Sequence, residues 1–406
     1  MSRRTKRKPS GRRKIARMPP GILTGIVALV VAVQTVETRA CSPPTPENPA
    51  AATPTPPAPP NEAFTTADGV RFAVETLVTS LEIPWSMAFA PDGRLFVTER
   101  PGRVLILDIG ARTSELALTL DDVFVQGEAG LLSLALDPQF AENRLVYLYQ
   151  SARLAGGGSV NRVVRYREAG SRLAERVVLL DDIPAATVHD GGRLRFGPDG
   201  LLYITTGDAA STGLAQDLAS TSGKILRINR DGTTPRDNPF GSPIYSYGHR
   251  NPQGLDWHPA TGDLWASEHG STGNDEVNVI DAAANYGWPQ IEGSQTMAGM
   301  RTPLTFYSPA IAPSGASFYR GDRFPLFTNN LFIGTLRGAH LLRLIVDSSP
   351  QRQVVSQERL LEGRFGRIRD VITGPDGSLY FCTNNRDGRG SPTSTDDRIA
   401  RLVPAT

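Results

Sequence analysis

One short phrase, a turn containing proline with aspartate or glycine between two apolar stretches, recurs along this 406-residue chain. Its six copies are Pro91-Asp92-Gly93, Pro198-Asp199-Gly200 and Pro375-Asp376-Gly377, with looser ones at Asp137-Pro138, His258-Pro259 and Phe324-Pro325. An apolar strand on each side of such a turn is typical of a β-hairpin. Copies roughly 45 to 70 residues apart indicate one strand unit per repeat.

This repeat predicts an all-β fold, a six-bladed β-propeller with one four-stranded blade per copy. Gly 40 and Pro 32 agree with a turn-rich chain, because both residues interrupt helices. The alternating stretches 70–74 and 399–403 are expected to share a blade and close the ring. A β-sandwich is the alternative, and it would explain the hairpins but not six copies of one turn.

The N-terminal region has the composition of an export segment. Residues 1–40 place basic side chains before a short apolar run, so they are predicted to be a signal peptide or an N-terminal membrane anchor. Cys41 gives a third alternative, lipidation. Residues 41–62 form a Pro-rich linker, and residues 63–406 form the folded domain. The expected location is periplasmic or extracellular, with membrane contact only through this segment or a lipid on Cys41.

Charge is distributed unevenly along the chain. Residues 1–40 hold ten basic and one acidic side chain, so the whole chain's 43 basic and 41 acidic residues leave 33 and 40 after them, a net charge of −7. We therefore expect no nucleic-acid partner, because the basic excess lies in a removable end. The folded part contains only Cys382, so an internal disulfide is not available.

Two polar residues lie next to predicted strands and suit acid–base chemistry. His189 precedes two glycines and the strand at Leu194, and Asp208 ends the strand that follows the next turn. A carboxylate bonded to an imidazole fixes its tautomer and stabilises the imidazolium that forms when it accepts a proton. Each residue taken alone is equally compatible with an ordinary turn or loop cap.

Acidic and basic groups also suggest ion and anion binding. Glu276 could bind Ca²⁺ with the backbone carbonyl of Tyr286 and water, because Ca²⁺ takes six to eight oxygens. Asp275 and Glu276 could equally form a solvated turn. Arg367 and Arg369 alternate along an apparent strand that starts at Arg367, and they would hold either a polycarboxylate ligand or partner acids.

Several phrases together resemble one enzyme family, the soluble aldose sugar dehydrogenases that depend on pyrroloquinoline quinone (PQQ), the glucose/sorbosone dehydrogenase group. The resemblance spans residues 81–403. Its carriers are Ile83-Pro84-Trp85-Ser86-Met87-Ala88-Phe89, Gln126-Gly127-Glu128-Ala129-Gly130, the stretch 189–200, Gly248-His249-Arg250-Asn251-Pro252-Gln253-Gly254, Glu268-His269-Gly270, Asp275-Glu276, Asn285-Tyr286-Gly287-Trp288-Pro289 and the stretch 367–371.

The resemblance implies a six-bladed propeller that binds PQQ and Ca²⁺ and oxidises the C1 hydroxyl of aldose sugars to the lactone. An external acceptor would then take the electrons. The resemblance implies that His189 is the general base that takes the proton of the C1 hydroxyl, and that Asp208 is its hydrogen-bond partner. The remaining implied roles are sugar or quinone contact for Gln126 and Arg250, cofactor binding for Asn251, Arg337, Arg367 and Arg369, catalytic calcium for the carbonyls of Gly270 and Ser271, and structural calcium for Glu276 and Tyr286.

Two residues depart from the family pattern. Arg337 stands where lysine is frequent, and Ser271 stands where proline is frequent, which keeps a main-chain ligand but loosens the loop. Two other functions stay open at this stage. One is a non-catalytic propeller that binds a glycan or protein, and the other is a metal-dependent lactone hydrolase, which would need several carboxylates around an open metal.

Overall fold

In a computed structural model the described residues are 62–347 and 352–405, together with the backbone of Thr53–Pro54. The predictions for residues 1–40, for Cys41 and for nearly all of the linker fall outside these residues. Among the described residues, no helix has the length and apolarity that crossing a membrane would need.

The described chain forms 26 strands. The first three are β1 (Thr53–Pro54), β2 (Ala63–Thr65) and β3 (Arg71–Thr79). Blade 1 contains β4 (Pro84–Phe89), β5 (Leu95–Glu99), β6 (Arg103–Asp108) and β7 (Thr113–Thr119). Blade 2 contains β8 (Leu131–Leu136), β9 (Leu145–Arg153), β10 (Ser159–Ala169) and β11 (Arg172–Pro184). Blade 3 contains β12 (Leu194–Phe196), β13 (Leu202–Thr206), β14 (Lys224–Ile228) and β15 (Ile244–Tyr247).

Three further blades complete the ring. Blade 4 contains β16 (Pro252–Trp257), β17 (Leu264–Glu268), β18 (Asp275–Ile280) and β19 (Thr305–Tyr307). Blade 5 contains β20 (Pro313–Phe318), β21 (Leu331–Thr335), β22 (Leu341–Val346) and β23 (Val354–Leu360). Blade 6 contains β24 (Ile368–Thr373), β25 (Leu379–Thr383), β26 (Ile399–Pro404) and β3. The helical elements in the described part are α1 (Phe140–Asn143) and 3₁₀ turns at Thr212–Ala215 and Pro325–Phe327.

Each blade is an antiparallel meander, and its first strand contacts the first strands of the neighbouring blades. The six inner strands β4, β8, β12, β16, β20 and β24 therefore surround a common axis. Every copy of the recurring turn joins the first strand of a blade to its second strand. The predicted all-β, six-bladed β-propeller is confirmed.

The ring closes where the two ends of the domain share blade 6. Val403 pairs with Ala73 and Leu402 with Val74 in an antiparallel ladder between β26 and β3. This pairing was expected from the two alternating stretches. Closure removes the exposed edges that an open sheet would leave, so the fold needs no disulfide at this point.

The core is divided among the gaps between blades. Six buried apolar clusters occupy the six gaps in the described ring. Phe96 of blade 1 meets Phe140 of blade 2 edge to face at 5.5 Å, and fully burying one such ring stabilises the fold by about 2 kcal/mol. Cys382 is a buried free thiol in one of these gaps.

Antiparallel meanders around one axis give the ring two chemically different ends. The recurring turns lie together at one end, which we call the turn end; residues near Pro91 and Pro375 line one opening there. The connections from second to third strands, and from fourth strands to the next blade, lie at the opposite end, which we call the site end. The polar phrases around His189, Arg250 and Gly270 lie in site-end connections. Asp275, Glu276 and Arg369 lie in strands, and the phrase 285–289 lies in the connection from β18 to β19, where Asn285 bridges to Tyr247 at the end of β15.

Candidate functional site

His189 and Asp208 form a hydrogen-bonded pair at the site end. His189 Nδ1 lies 2.7 Å from Asp208 Oδ1. His189 has a positive φ of 61° in the connection before β12, and Asp208 follows β13. Gly207 allows the two segments to approach, because a Cβ there would lie 1.8 Å from the His189 carbonyl oxygen. The predicted proximity of the two side chains is therefore present.

The surroundings of the pair orient the imidazole. Asp208 is fully buried, and its Oδ1 also accepts the Ala210 amide at 2.9 Å. Its Oδ2 accepts Trp288 Nε1 at 2.8 Å. Because the carboxylate accepts, His189 Nδ1 is the donor of their shared bond. Nε2 makes no hydrogen bond to any described residue, and the side chain is 18% exposed, so this nitrogen can accept a proton from a ligand.

Glu128 holds the backbone of His189. Its Oε2 accepts the His189 amide at 3.0 Å, and its Oε1 accepts Arg389 Nη1 at 2.8 Å. Burial acts to raise the pKa of Glu128, but the nearby His269 and Arg389 outweigh it and hold that pKa at about 2. An ionised Glu128 therefore anchors the loop that carries the imidazole.

A cavity with an empty volume of about 300 Å³ opens on the axis, and Asp190 and Gly191, which follow His189 in the chain, line it. Its lining includes Trp85, Asp190, Gln253, His269 and Arg369. The cavity therefore joins polar side chains from four blades, as the propeller topology leads us to expect.

Arg369 is a buried cation without an acid partner in the part of the chain that the structure describes. Its guanidinium donates to Gln253 Oε1 at 3.1 Å and to Ser314 Oγ at 3.3 Å, and it lies 5.4 Å from the centre of the Trp85 ring. Burial lowers the pKa of Arg369 to about 9, so the group stays charged at neutral pH. A buried charge that is not paired destabilises the fold, and an anion in the cavity would compensate it.

Arg367 differs from Arg369 in its partners. It precedes β24, which begins at Ile368, and the sheet register shifts between Ile368 and Asp370. The strand therefore starts one residue later than predicted. Arg367 pairs with Asp387 at 2.6 Å. The sequence left open whether the two arginines bind a ligand anion or partner acids. Of the two, Arg367 has an acid partner among the described residues, and Arg369 stays available for a ligand anion.

The other predicted contacts lie at the same end of the ring. Arg250 donates to the His269 carbonyl at 3.3 Å and stacks over Trp288 at 5.3 Å. Asn251 is buried, and its Oδ1 accepts the Gly191 amide at 3.0 Å. Gln126 and Arg337 are exposed in site-end connections. Arg337 does not line the axial cavity, so its predicted role in cofactor binding stays a prediction.

The predicted calcium residues surround a second, smaller cavity with an empty volume of about 240 Å³. Gly270, Glu276 and Tyr286 line it, and Ser271 follows Gly270 in the same connection. Burial, and then the charge of Glu268, raise the pKa of Glu276 to about 8. Within residues 62–347 and 352–405, no group of three His, Cys, Asp or Glu side chains could hold a metal. A calcium ion here would therefore depend on main-chain carbonyls.

Unsatisfied polar atoms test whether the axial cavity suits the implied cofactor. Asp190 Oδ2, His269 Nε2 and Arg369 Nε are buried and lack a hydrogen-bond partner among the described residues, and all three side chains line the cavity. Buried polar atoms normally have partners, so three orphans around one cavity favour a polar ligand. With the charge of Arg369, they fit an anionic quinone.

Four residues at the site were not identified as functional from the sequence: Glu128, Asp190, Gln253 and Trp288. Each lies within a phrase that carried the family resemblance. Their contacts join segments far apart in sequence, since Trp288 reaches Asp208 across 80 positions. A search for polar residues with unusual neighbours in sequence could have nominated Asp190, but not its partners.

Asp190 provides a pH test of the buried site. Burial is the main cause that raises the pKa of Asp190 from 3.8 to about 7. The folded protein therefore keeps a proton that the unfolded chain loses, and the stability this contributes is full below about pH 4 and is lost as the pH rises through about 7. Between pH 5 and 7 this proton makes the free energy of unfolding fall by about 1.4 kcal/mol per pH unit. In Asp190→Asn that contribution to the slope should be absent.

Urea unfolding of the cofactor-free wild type and variant at several pH values measures the difference. The exposed Asp121→Asn serves as the control and should leave the slope unchanged. Equal slopes for the wild type and Asp190→Asn would show that Asp190 is ionised throughout this range.

Comparisons with known proteins agree with the geometry. A family model described as glucose/sorbosone dehydrogenase matches residues 81–392. The aldose sugar dehydrogenase YliI of Escherichia coli is 34% identical, with 78% of this chain and 91% of that protein covered. Quinoprotein glucose dehydrogenase B of Acinetobacter calcoaceticus is 25% identical, with 84% and 92% covered.

A solved structure shows the same relationship in three dimensions. The PQQ-bound aldose sugar dehydrogenase of Streptomyces coelicolor is 36% identical and superposes with a TM-score of 0.74, covering 85% of this chain and 99% of that one. The resemblance seen in the sequence is therefore confirmed. With its six-bladed ring and its family match over residues 81–392, the chain belongs to the glucose/sorbosone dehydrogenase family.

Proposed function

We propose that this protein is a PQQ-dependent dehydrogenase that oxidises the C1 hydroxyl of aldose sugars to the lactone. The observation that carries the proposal is the hydrogen-bonded His189–Asp208 pair, because the residues that follow His189 line the same cavity as Arg369, a cation without an acid partner among the described residues. A base and an anion site at one end of the ring are what this oxidation requires of the protein. Family membership supports the same chemistry.

His189 is the proposed general base. Its Nδ1 is held by Asp208, so Nε2 is left to accept the proton of the C1 hydroxyl. As the proton leaves, the imidazole becomes positive, and the buried Asp208 carboxylate stabilises this charge. The anchoring of the His189 amide by Glu128 keeps the ring in place during the transfer.

Arg369 is the main proposed cofactor contact, because its charge lacks an acid partner among the described residues. Asn251, Arg337 and Arg367 are the further proposed contacts. When bound, PQQ supplies a two-electron hydride acceptor, and an adjacent Ca²⁺ polarises its carbonyl. Trp85 lines the same cavity as Arg369, so its ring would contact the bound cofactor.

Two calcium sites complete the proposal. Backbone carbonyls of Gly270 and Ser271 would hold the ion next to the cofactor. Glu276 and the Tyr286 carbonyl would hold a structural ion, since Glu276 already lines the second cavity. Oxygen ligands of this kind, including main-chain carbonyls, suit Ca²⁺.

The remaining proposals concern substrate, electrons and location. Gln126 and Arg250 lie at the site end, where they would contact the sugar. An external acceptor would then take the two electrons. Residues 1–40 are proposed to direct export to the periplasm or the cell exterior, with Cys41 as a candidate for lipid attachment.

Reconstitution tests the proposed function. Purified protein given PQQ and Ca²⁺ should reduce a redox dye when an aldose is added, and each component left out should abolish the reaction. Quinone absorbance bound without sugar oxidation would instead favour a binding propeller. Failure to bind PQQ at all would refute the cofactor assignment.

A further inference from the structure

Trp288 contacts two residues that the proposed function uses, Asp208 and Arg250. Its Nε1 donates to Asp208 Oδ2 at 2.8 Å, and its ring lies 5.3 Å from the Arg250 guanidinium carbon. It belongs to residues 281–304, the long connection between β18 and β19 of blade 4, whereas Asp208 belongs to blade 3. The Trp288 side chain therefore connects blade 4 to blade 3 by a hydrogen bond at the site.

A set of hydrogen bonds fixes the backbone of Trp288. Gln216 Nε2 donates to the Trp288 carbonyl at 2.7 Å and to Asn285 Oδ1 at 3.0 Å. Asn285 Nδ2 returns a bond to Gln216 Oε1 at 2.8 Å, and the Trp288 amide donates to the Gly248 carbonyl at 2.9 Å. The indole is therefore presented to Asp208 by a rigid support and not by a free loop.

We propose that Trp288 is a positioning residue that acts on His189 through Asp208, an inference that rests on the proposed function. Asp208 is fully buried, so without the indole N–H its Oδ2 would have no partner in the part of the chain that the structure describes. The indole draws negative charge towards Oδ2 and fixes the carboxylate plane. Oδ1 then faces His189 Nδ1 in one geometry, which leaves Nε2 directed at the ligand.

The groups that face Asp208 come from each element packed against it. They are His189 at Oδ1, the Ala210 amide at Oδ1 and Trp288 at Oδ2. Arg250 does not bond to the carboxylate, but its backbone carbonyl accepts the Asp208 amide at 2.8 Å. Removing the indole donor therefore concentrates the carboxylate's charge on the imidazole, and it favours the protonated ring.

Trp288→Phe keeps an aromatic side chain next to Arg250 but removes the five-membered ring with its N–H, so the bond to Asp208 is lost. In the reconstituted enzyme we expect kcat to fall about tenfold, with KM changed less than about twofold. The acidic limb of the kcat/KM profile should move to higher pH by about half a unit. Wild-type kcat and an unmoved limb would overturn the proposal.

Trp265→Phe is the matched control. Trp265 is buried in a gap between blades 4 and 5, and its Nε1 has no hydrogen-bond partner in the described structure. The same deletion there removes an indole N–H without breaking a bond, so the kinetic profile should be that of the wild type. A shift in both variants would show that core packing, and not the bond to Asp208, causes the effect.

A second measurement needs no activity and so separates this proposal from the proposed function. The chain has four tryptophans, and ¹⁵N-labelled indoles should give four N–H signals in cofactor-free protein. The signal that disappears in Trp288→Phe is assigned to Trp288. Its chemical shift should change with pH in the wild type and stay constant in His189→Gln. A Trp288 signal indifferent to pH in the wild type would overturn the proposal.

Gln216→Ala provides a variant that keeps the indole, should Trp288→Phe fail to fold. It removes the bonds to the Trp288 carbonyl and to Asn285. The kinetic shift should have the same sign and a smaller size. A wild-type profile in this variant, with the Trp288 signal also unmoved, would contradict the proposed support.

Discussion

Replacing His189 with alanine is expected to lower kcat of the reconstituted enzyme by about a thousandfold. The imidazole is the only proposed acceptor for the C1 hydroxyl proton, and Asp208 stabilises the charge that forms on it. The variant loses both contributions, because the buried carboxylate no longer has an imidazole beside it. Dye-coupled sugar oxidation at saturating PQQ and Ca²⁺ measures the loss.

His258→Asn is the matched control for this prediction. His258 lies in a recurring turn at the opposite end of the ring, where its Nδ1 accepts two backbone amides. Asparagine keeps an acceptor there, so turnover should stay near the wild-type value. A His189→Ala protein that binds PQQ, melts normally and retains wild-type turnover would refute the assigned base.

Arg369→Met should change cofactor affinity and apo-protein stability in opposite directions. The loss of the guanidinium is expected to weaken PQQ binding by about a hundredfold, because a buried charge pair is worth roughly 2–5 kcal/mol on truncation of one partner. The cofactor-free protein should gain about 1–3 kcal/mol, since an unpaired buried charge is removed.

Absorbance titration with PQQ and urea unfolding without it measure these two effects. Arg359→Met, on an exposed outer strand where Arg359 pairs with Glu362, is the control and should leave both quantities unchanged. Equal losses of affinity and stability in Arg369→Met would show that Arg369 is structural and would remove the main cofactor contact.

Much of the fold could be predicted from the sequence because the recurring turn is a local signal. A turn with flanking strands specifies a hairpin without long-range information, and six copies specify the number of blades. The pairing of 70–74 with 399–403 was predictable for the same reason, since each stretch alternates by itself. Because each blade is an antiparallel meander, the blade order also predicts which connections lie at the site end and which lie at the turn end.

The site was less predictable because its contacts cross blades. The proximity of His189 and Asp208 could be inferred from the strands they adjoin. The bond from Trp288 to Asp208 could not, because it depends on the path of residues 281–304 between two blades. Arg367 and Arg369 look equivalent in sequence, yet only Arg367 has an acid partner among the described residues, supplied by Asp387 from the irregular connection between β25 and β26 of the same blade.

The most direct test of the central claim is a crystal structure of the protein with PQQ and Ca²⁺. We expect a planar tricyclic ligand in the axial cavity, with a carboxylate against Arg369 and its reactive edge facing His189 Nε2. A ligand bound at the turn end, or a site-end ligand that leaves His189 and Arg369 without contact, would contradict it.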